Sequence, residues 1–285
     1  MKQKKVKTPP EPQYYKSATN QPALNYQVYY LSFAEKIGYF LLAFAVGVAV
    51  GYLFYGGIGT DEFGRPTTAT YILNAVVSVT VGTIAGVLFL PLRRKQIIEK
   101  RQKTLKTQFR DMLQAFSTSL CSGKNVSDSF LTVYVDLKTQ YEETAYIINE
   151  LKIINDGIAN GINVEDLLED LGKRSGCVDI ENFANVFKVC YRKGGNINDT
   201  IRNTYEILSG KMEISNDITT AVTGSRSELY MMLAMPIILI AMIKLISSEF
   251  AANFVTPAGI AATTIAIVLF AVSYFIGKSI LNIKV

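Results

Sequence analysis

IGYFLLAFAVGVAVGYLFYGGI, residues 37–58, contains no charged side chain and decides the class of this protein. A bilayer core about 30 Å thick is crossed by a helix of about 20 apolar residues. Helices in soluble proteins average about 10–14 residues and usually carry a polar face. Three further stretches meet the membrane criterion: Tyr71–Leu92 and Ala258–Gly277, both uncharged, and Leu229–Ile246, whose one charge is Lys244. The expected fold is an all-α membrane protein, with two transmembrane hairpins, 37–92 and 229–285, flanking a helical domain over 93–228. Lys244 stands near the outer end of its span, from where its ammonium can snorkel to the interface. Pro236 is expected to kink the same span.

Orientation follows from the basic residues, which concentrate in short cytoplasmic segments. Lys2, Lys4, Lys5, Lys7, Lys16 and Lys36 precede the first span. Arg93, Arg94, Lys95, Lys100, Arg101, Lys103 and Lys106 follow the second, and Lys278 and Lys284 follow the fourth. The loop 59–69 sets one Arg beside Asp61 and Glu62, and the loop 247–257 has no Lys or Arg. Both termini and the central domain are therefore expected in the cytoplasm, making this a multi-pass protein of the cell membrane. The polar N-terminus lacks the compact apolar core of a secretory signal. Residues 1–36 are expected to be a disordered, basic, Pro-rich tail able to touch anionic headgroups.

The chain has no His and a net charge of +5. Without His, the commonest general base and metal ligand are missing. No phosphate-binding glycine loop is present: Ser122-Gly123-Lys124-Asn125 lacks the upstream Gly and the closing Ser or Thr of that motif. Cys121, Cys177 and Cys190 fit no metal spacing, and Cys190 on an apolar helix face is expected to be packed inside. These features point away from an enzyme, a cofactor, a metal and nucleic-acid binding.

Between the hairpins, apolar residues recur at helical spacing: Phe109, Met112, Leu113, Phe116; Ile147, Leu151, Ile154, Ile158; Phe183, Val186, Phe187, Cys190; Ile201, Tyr205, Leu208, Met212. Six helices fit, over 104–122, 126–138, 141–159, 164–174, 179–192 and 197–226, forming a compact bundle with antiparallel neighbours. A pattern of Gly, any residue, Asn, Val or Ile, any residue, Asp occurs three times: Gly123/Asn125/Asp128, Gly161/Asn163/Asp166 and Gly194/Asn196/Asp199, the last doubled by Gly195. The Gly ends one helix in the left-handed conformation, the Asn caps the next, and the Asp reaches back or favours the positive helix end. A calcium loop would need more acidic ligands at closer spacing.

The order of spans, basic juncture and helical domain, with FRDMLQAFSTSLCSGKNVSDSF (109–130) and GINVEDLLEDLGKRSGCVDIENFANVFKVCYRKGGNINDTIRNTYEIL (161–208), closely resembles the type II secretion F family. It looks most like the single-domain platform proteins of tight-adherence (Flp/Tad) pili. The resemblance implies a membrane platform that transmits the motion of a secretion-type hexameric ATPase to pilin subunits. It also implies assembly with itself or a sister platform protein. The cationic segment Arg93, Arg94, Lys95, Lys100, Arg101, Lys103 is the candidate contact for lipid headgroups or a partner. A membrane transporter subunit or a membrane-anchored scaffold is the alternative.

Overall fold

The computed structural model describes residues 12–56, 67–247, 253–254 and 256–281. The outer loops and Lys2, Lys4, Lys5, Lys7 and Lys284, used above for orientation, lie wholly or mostly outside them. The helices are α1 (Phe33–Tyr55), α2 (Thr68–Cys121), α3 (Val126–Gln140), α4 (Tyr146–Ala159), α5 (Val164–Ser175), α6 (Val178–Lys193), α7 (Ile197–Ile246) and α8 (Pro257–Leu281). Helices α1, α2, α7 and α8 each contain a segment long and apolar enough to cross a membrane. The chain divides into two compact units, Leu31–Arg93 with Glu213–Val285, and the N-terminal residues through Tyr30 with Arg94–Met212.

In the first of these, α1 and α2 approach through small residues. A Cβ on Gly47 would lie 2.8 Å from the Gly82 Cα, and one on Gly86 would lie 2.5 Å from the Phe40 ring. Lipid tails are as apolar as the helices, so close backbone packing of this kind holds spans together. The ammonium of Lys244 does not simply reach for water: it donates to the Leu53 carbonyl at 2.7 Å and lies 4.8 Å from the Phe254 ring centroid. That carbonyl belongs to the last turn of α1, where unpaired acceptors and the negative helix end favour a cation. Tyr55 and Thr264 share a hydroxyl hydrogen bond at 3.1 Å, adding a polar tie from α1 to α8.

The second unit is built on a single apolar core. Phe109 and Phe116 of α2, Phe130 of α3, and Phe183 and Phe187 of α6 are buried with Leu113, Ile147, Leu151, Leu168 and Leu171. Phe109 meets Phe183 edge-on at 5.4 Å and Phe116 meets Phe130 at 4.4 Å. Burying each such ring is worth about 1.5–3 kcal/mol, which makes this aromatic seam the main cohesive element of the unit.

Three expectations are revised. Span 71–92 and the helix expected from 104 are one helix, α2, because residues 93–106 (RRKQIIEKRQKTLK) contain no Gly or Pro and consist mostly of good helix formers. The helix expected from 141 begins at Tyr146, because the Tyr141 hydroxyl is held by Asp111 at 2.5 Å and its backbone is extended. The expected disordered tail is ordered over its described part. Strands β1 (Tyr14–Lys16) and β2 (Pro22–Leu24) form an antiparallel hairpin, and Ala23, Asn25 and Tyr26 are at most 1% exposed. Residues Phe33–Lys36 already belong to α1, opened by a capping box between Ser32 and Glu35.

Candidate functional site

Each of the three repeated turns starts with a glycine of positive φ: +87° at Gly123, +76° at Gly161 and +75° at Gly194. A side chain disfavours this conformation, so glycine is the residue that ends a helix this way. The Asn125 side chain accepts the Asp128 amide at 2.8 Å, and Asn196 accepts the Asp199 amide at 3.2 Å. Asn163 makes no such bond to the backbone of α5. In all three turns the Asp carboxylate accepts from the Asn side-chain amide, at 2.7 Å (Asp128), 3.4 Å (Asp166) and 2.5 Å (Asp199), rather than from the cap backbone. A shorter acid than Glu stops at the side chain of the cap. Gly195 lets its amide approach the Cys190 carbonyl at 2.8 Å, and a Cβ there would sit 3.3 Å from Cys190. Cys190 is half-buried beneath that turn, less enclosed than its helix face suggested.

The turns converge on one end of this unit. Asn198 at the start of α7 donates to Cys121 Sγ (3.1 Å) at the end of α2, and Arg192 at the end of α6 pairs with Glu165 (3.1 Å) in the first turn of α5. Asn155 in α4 donates to the Phe130 carbonyl in α3 at 3.3 Å. A cleft of about 470 Å³ lies between the first and third turns, lined by Lys124, Asn125, Ser127, Tyr191 and Asn198.

The cationic segment is less uniform than its sequence. Arg94 lies over the Tyr30 ring (5.5 Å) and Arg101 over Tyr29 (4.2 Å), while Arg93 lies over Tyr39 (5.1 Å). Lys95 pairs with the exposed Glu99 at 3.8 Å, and Lys100 and Lys103 are exposed. The three lysines and Arg94 are exposed, whereas Arg93 and Arg101 are half-buried against aromatic rings. Farther along α2, Lys106 joins Lys211 in holding Asp179, at 2.7 and 2.6 Å. Partial burial alone would raise the Asp179 carboxyl, but the two ammonium groups hold it below the usual carboxylate range.

The most enclosed polar cluster was not among the candidate sites. Arg174 and Glu150 are paired through two hydrogen bonds, 2.8 and 2.7 Å, with both side chains 2% exposed. Arg174 Nε donates to Asp170 at 2.8 Å and its Nη1 to the Leu24 carbonyl at 3.1 Å. The Tyr26 hydroxyl donates to Glu150 at 2.8 Å. Burial and the adjacent Glu150 push the Tyr26 hydroxyl well above its ordinary range. Burial opposes the Arg174 charge, yet the Glu150 and Asp170 carboxylates outweigh it and raise the guanidinium further. A signal was present in the sequence: Glu150 falls on the stripe of Ile147, Leu151 and Ile154, and Arg174 on that of Leu167, Leu168 and Leu171. A charge on an apolar face needs a buried partner.

Among the described residues, no group of three or more His, Cys, Asp or Glu side chains is placed to hold a metal. The arrangement caps helix ends and ties the helices of this unit together through polar contacts. Residues 112–245 match the family described as type II secretion system (T2SS), protein F, a stretch that begins in α2 and ends in α7. Neither a curated protein nor a solved structure matches the chain.

Proposed function

We propose that this chain, which carries a type II secretion system protein F domain over residues 112–245, is the membrane platform of a type IV-like pilus or type II secretion machine, most similar to the Flp/Tad type. In this reading it passes the motion of a hexameric ATPase to pilin subunits and works with copies of itself or a sister platform protein. In this reading the N- and C-termini and the helical domain over 93–228 lie in the cytoplasm, on the basic side of the spans.

The observation that carries this reading is the continuity of α2 and α7. Helix α7 runs from the Gly194–Asn196 turn to Ile246, and α2 from Thr68 to Cys121, each joining domain residues to a candidate span without a break. In this reading a displacement imposed on the domain reaches the spans through these two helices, which carry Pro91 and Pro236. The domain acts as a passive transmitter, with the energy supplied by another protein. The exposed Lys95, Lys100 and Lys103 meet lipid headgroups at the cytoplasmic face.

Affinity purification of the tagged chain from membranes in mild detergent, followed by mass spectrometry, tests the assignment. Co-recovery of a secretion-type ATPase with pilins or a second platform protein is the expected result. Recovery of the chain alone, from membranes whose other complexes survive, would replace it with the transporter or scaffold reading.

A further inference from the structure

The segment ahead of α1 is held to the domain by contacts that look like ligand recognition. Backbone and side chain are both read. Arg174 Nη1 donates to the Leu24 carbonyl, the Tyr26 amide donates to the Arg174 carbonyl at 3.0 Å, and Gln27 Nε2 donates to the Lys173 carbonyl at 2.6 Å. One aromatic anchor is buried: Tyr26, edge-on to Tyr146 at 5.4 Å with its hydroxyl on Glu150. A single deeply buried aromatic surrounded by polar contacts is how peptide ligands are commonly gripped. We propose that the slot between α4 and α5 is a peptide-docking site whose occupant is this chain's own Leu24–Gln27 segment, and that the segment leaves and re-enters the slot while the helical domain stays folded.

Three features make the segment separable. Among the described residues, Tyr26 is the one buried member of the domain's apolar cluster from outside the helices, with Leu24 packed against it. The floor of the slot keeps its charges satisfied when empty, because Arg174 retains both bonds to Glu150 and its bond to Asp170, and water can replace Tyr26 and Leu24. Undocking therefore exposes no bare charge, the circumstance that makes breaking a buried ion pair so unfavourable. The segment also carries its own local order, through the β1–β2 pairing and the Asn25 amide on the Gln13 carbonyl (2.9 Å), which lowers the entropy lost on return. It lies outside the matched residues 112–245.

Residues 28–32 lead from the segment to α1, and Tyr29 and Tyr30 among them lie against Arg101 and Arg94 of α2, so two ring contacts hold the segment beside the Tyr26 anchor.

Hydrogen exchange on the full chain in lipid nanodiscs, read by mass spectrometry, tests docking and release without any ATPase or pilin. Its failure is therefore distinct from failure of the platform assignment. In the unaltered protein, amides 24–27 should exchange at least tenfold faster than those of Leu151 and Leu168, and at least tenfold slower than a free peptide. Tyr26→Ala should bring 24–27 to the free-peptide rate with α3–α6 still protected. Tyr26→Phe, which keeps the ring, should accelerate 24–27 by a smaller factor. Exchange of 24–27 at the free rate in the unaltered protein would show that the slot is not occupied. Exchange at the rate of the α4–α5 core, or loss of protection throughout α3–α6 in both variants, would show a permanent part of the fold and overturn the proposal.

Discussion

At the residue scale the decisive group is the buried ion pair Glu150–Arg174. Removing one partner strands the other charge at 2% exposure, whereas removing both strands neither. Arg174→Met should destabilise the full chain by about 3–5 kcal/mol, and the double change Arg174→Met with Glu150→Met by clearly less. Denaturant unfolding in detergent, followed by circular dichroism, measures both, and equal losses would argue against a charge-stranding cause. Tyr141 offers a second test. Burial first, and then the Asp111 carboxylate that accepts its proton at 2.5 Å, push its hydroxyl up to about 12. A raised value means the folded state holds the proton longer. The contribution of this contact is complete below the unfolded value near 10 and is lost as pH rises through about 12. Ultraviolet titration of tyrosinate should show one tyrosine fewer in that upper window in Tyr141→Phe, and an earlier ionisation in Asp111→Asn.

At the element scale, the glycines act in two different ways. Gly47 permits close approach: a Cβ would meet the Gly82 Cα at 2.8 Å, which is backbone and cannot swing aside. Gly47→Val should force α1 from α2 and destabilise the hairpin by about 1–3 kcal/mol, visible as lower thermal stability in detergent. Gly194 is needed for its φ of +75° and has open space around it, so Gly194→Ala should act through backbone strain alone, by about 1 kcal/mol. Asn125→Ala removes the bond to the Asp128 amide and should also weigh about 1 kcal/mol. The three turns were legible because capping is local: the residues that make it are neighbours in sequence. The continuity of α2 through residues 93–106 was legible in principle from composition, but a change from apolar to basic sequence reads as a boundary even where no helix breaker stands.

At the scale of the whole molecule, the exposed lysines and the docked arginines predict different outcomes. Charge reversal at Lys100 and Lys103 should weaken binding to anionic liposomes more than the same change at Arg101, whose guanidinium is occupied by the Tyr29 ring. Arg101→Glu should instead loosen the N-terminal segment. Liposome co-sedimentation at two salt concentrations separates these effects, since headgroup attraction weakens with salt. An equal effect at all three positions would remove the distinction.

The sequence by itself determined the membrane class, the four apolar segments, the helical character of the domain and its turns. Each of these depends on residues within one helix length of one another, through hydropathy, periodicity or capping. Only the tertiary structure decided that residues 24–27 pack against α4 and α5, that Lys244 answers a helix end in place of the interface, and that Arg174, Glu150 and Tyr26 form one buried network. Those partners lie up to about 190 residues apart along the chain. A side chain's need for a partner can be read from its own helix face, but the identity of that partner is set by which distant surfaces the fold brings within hydrogen-bonding distance.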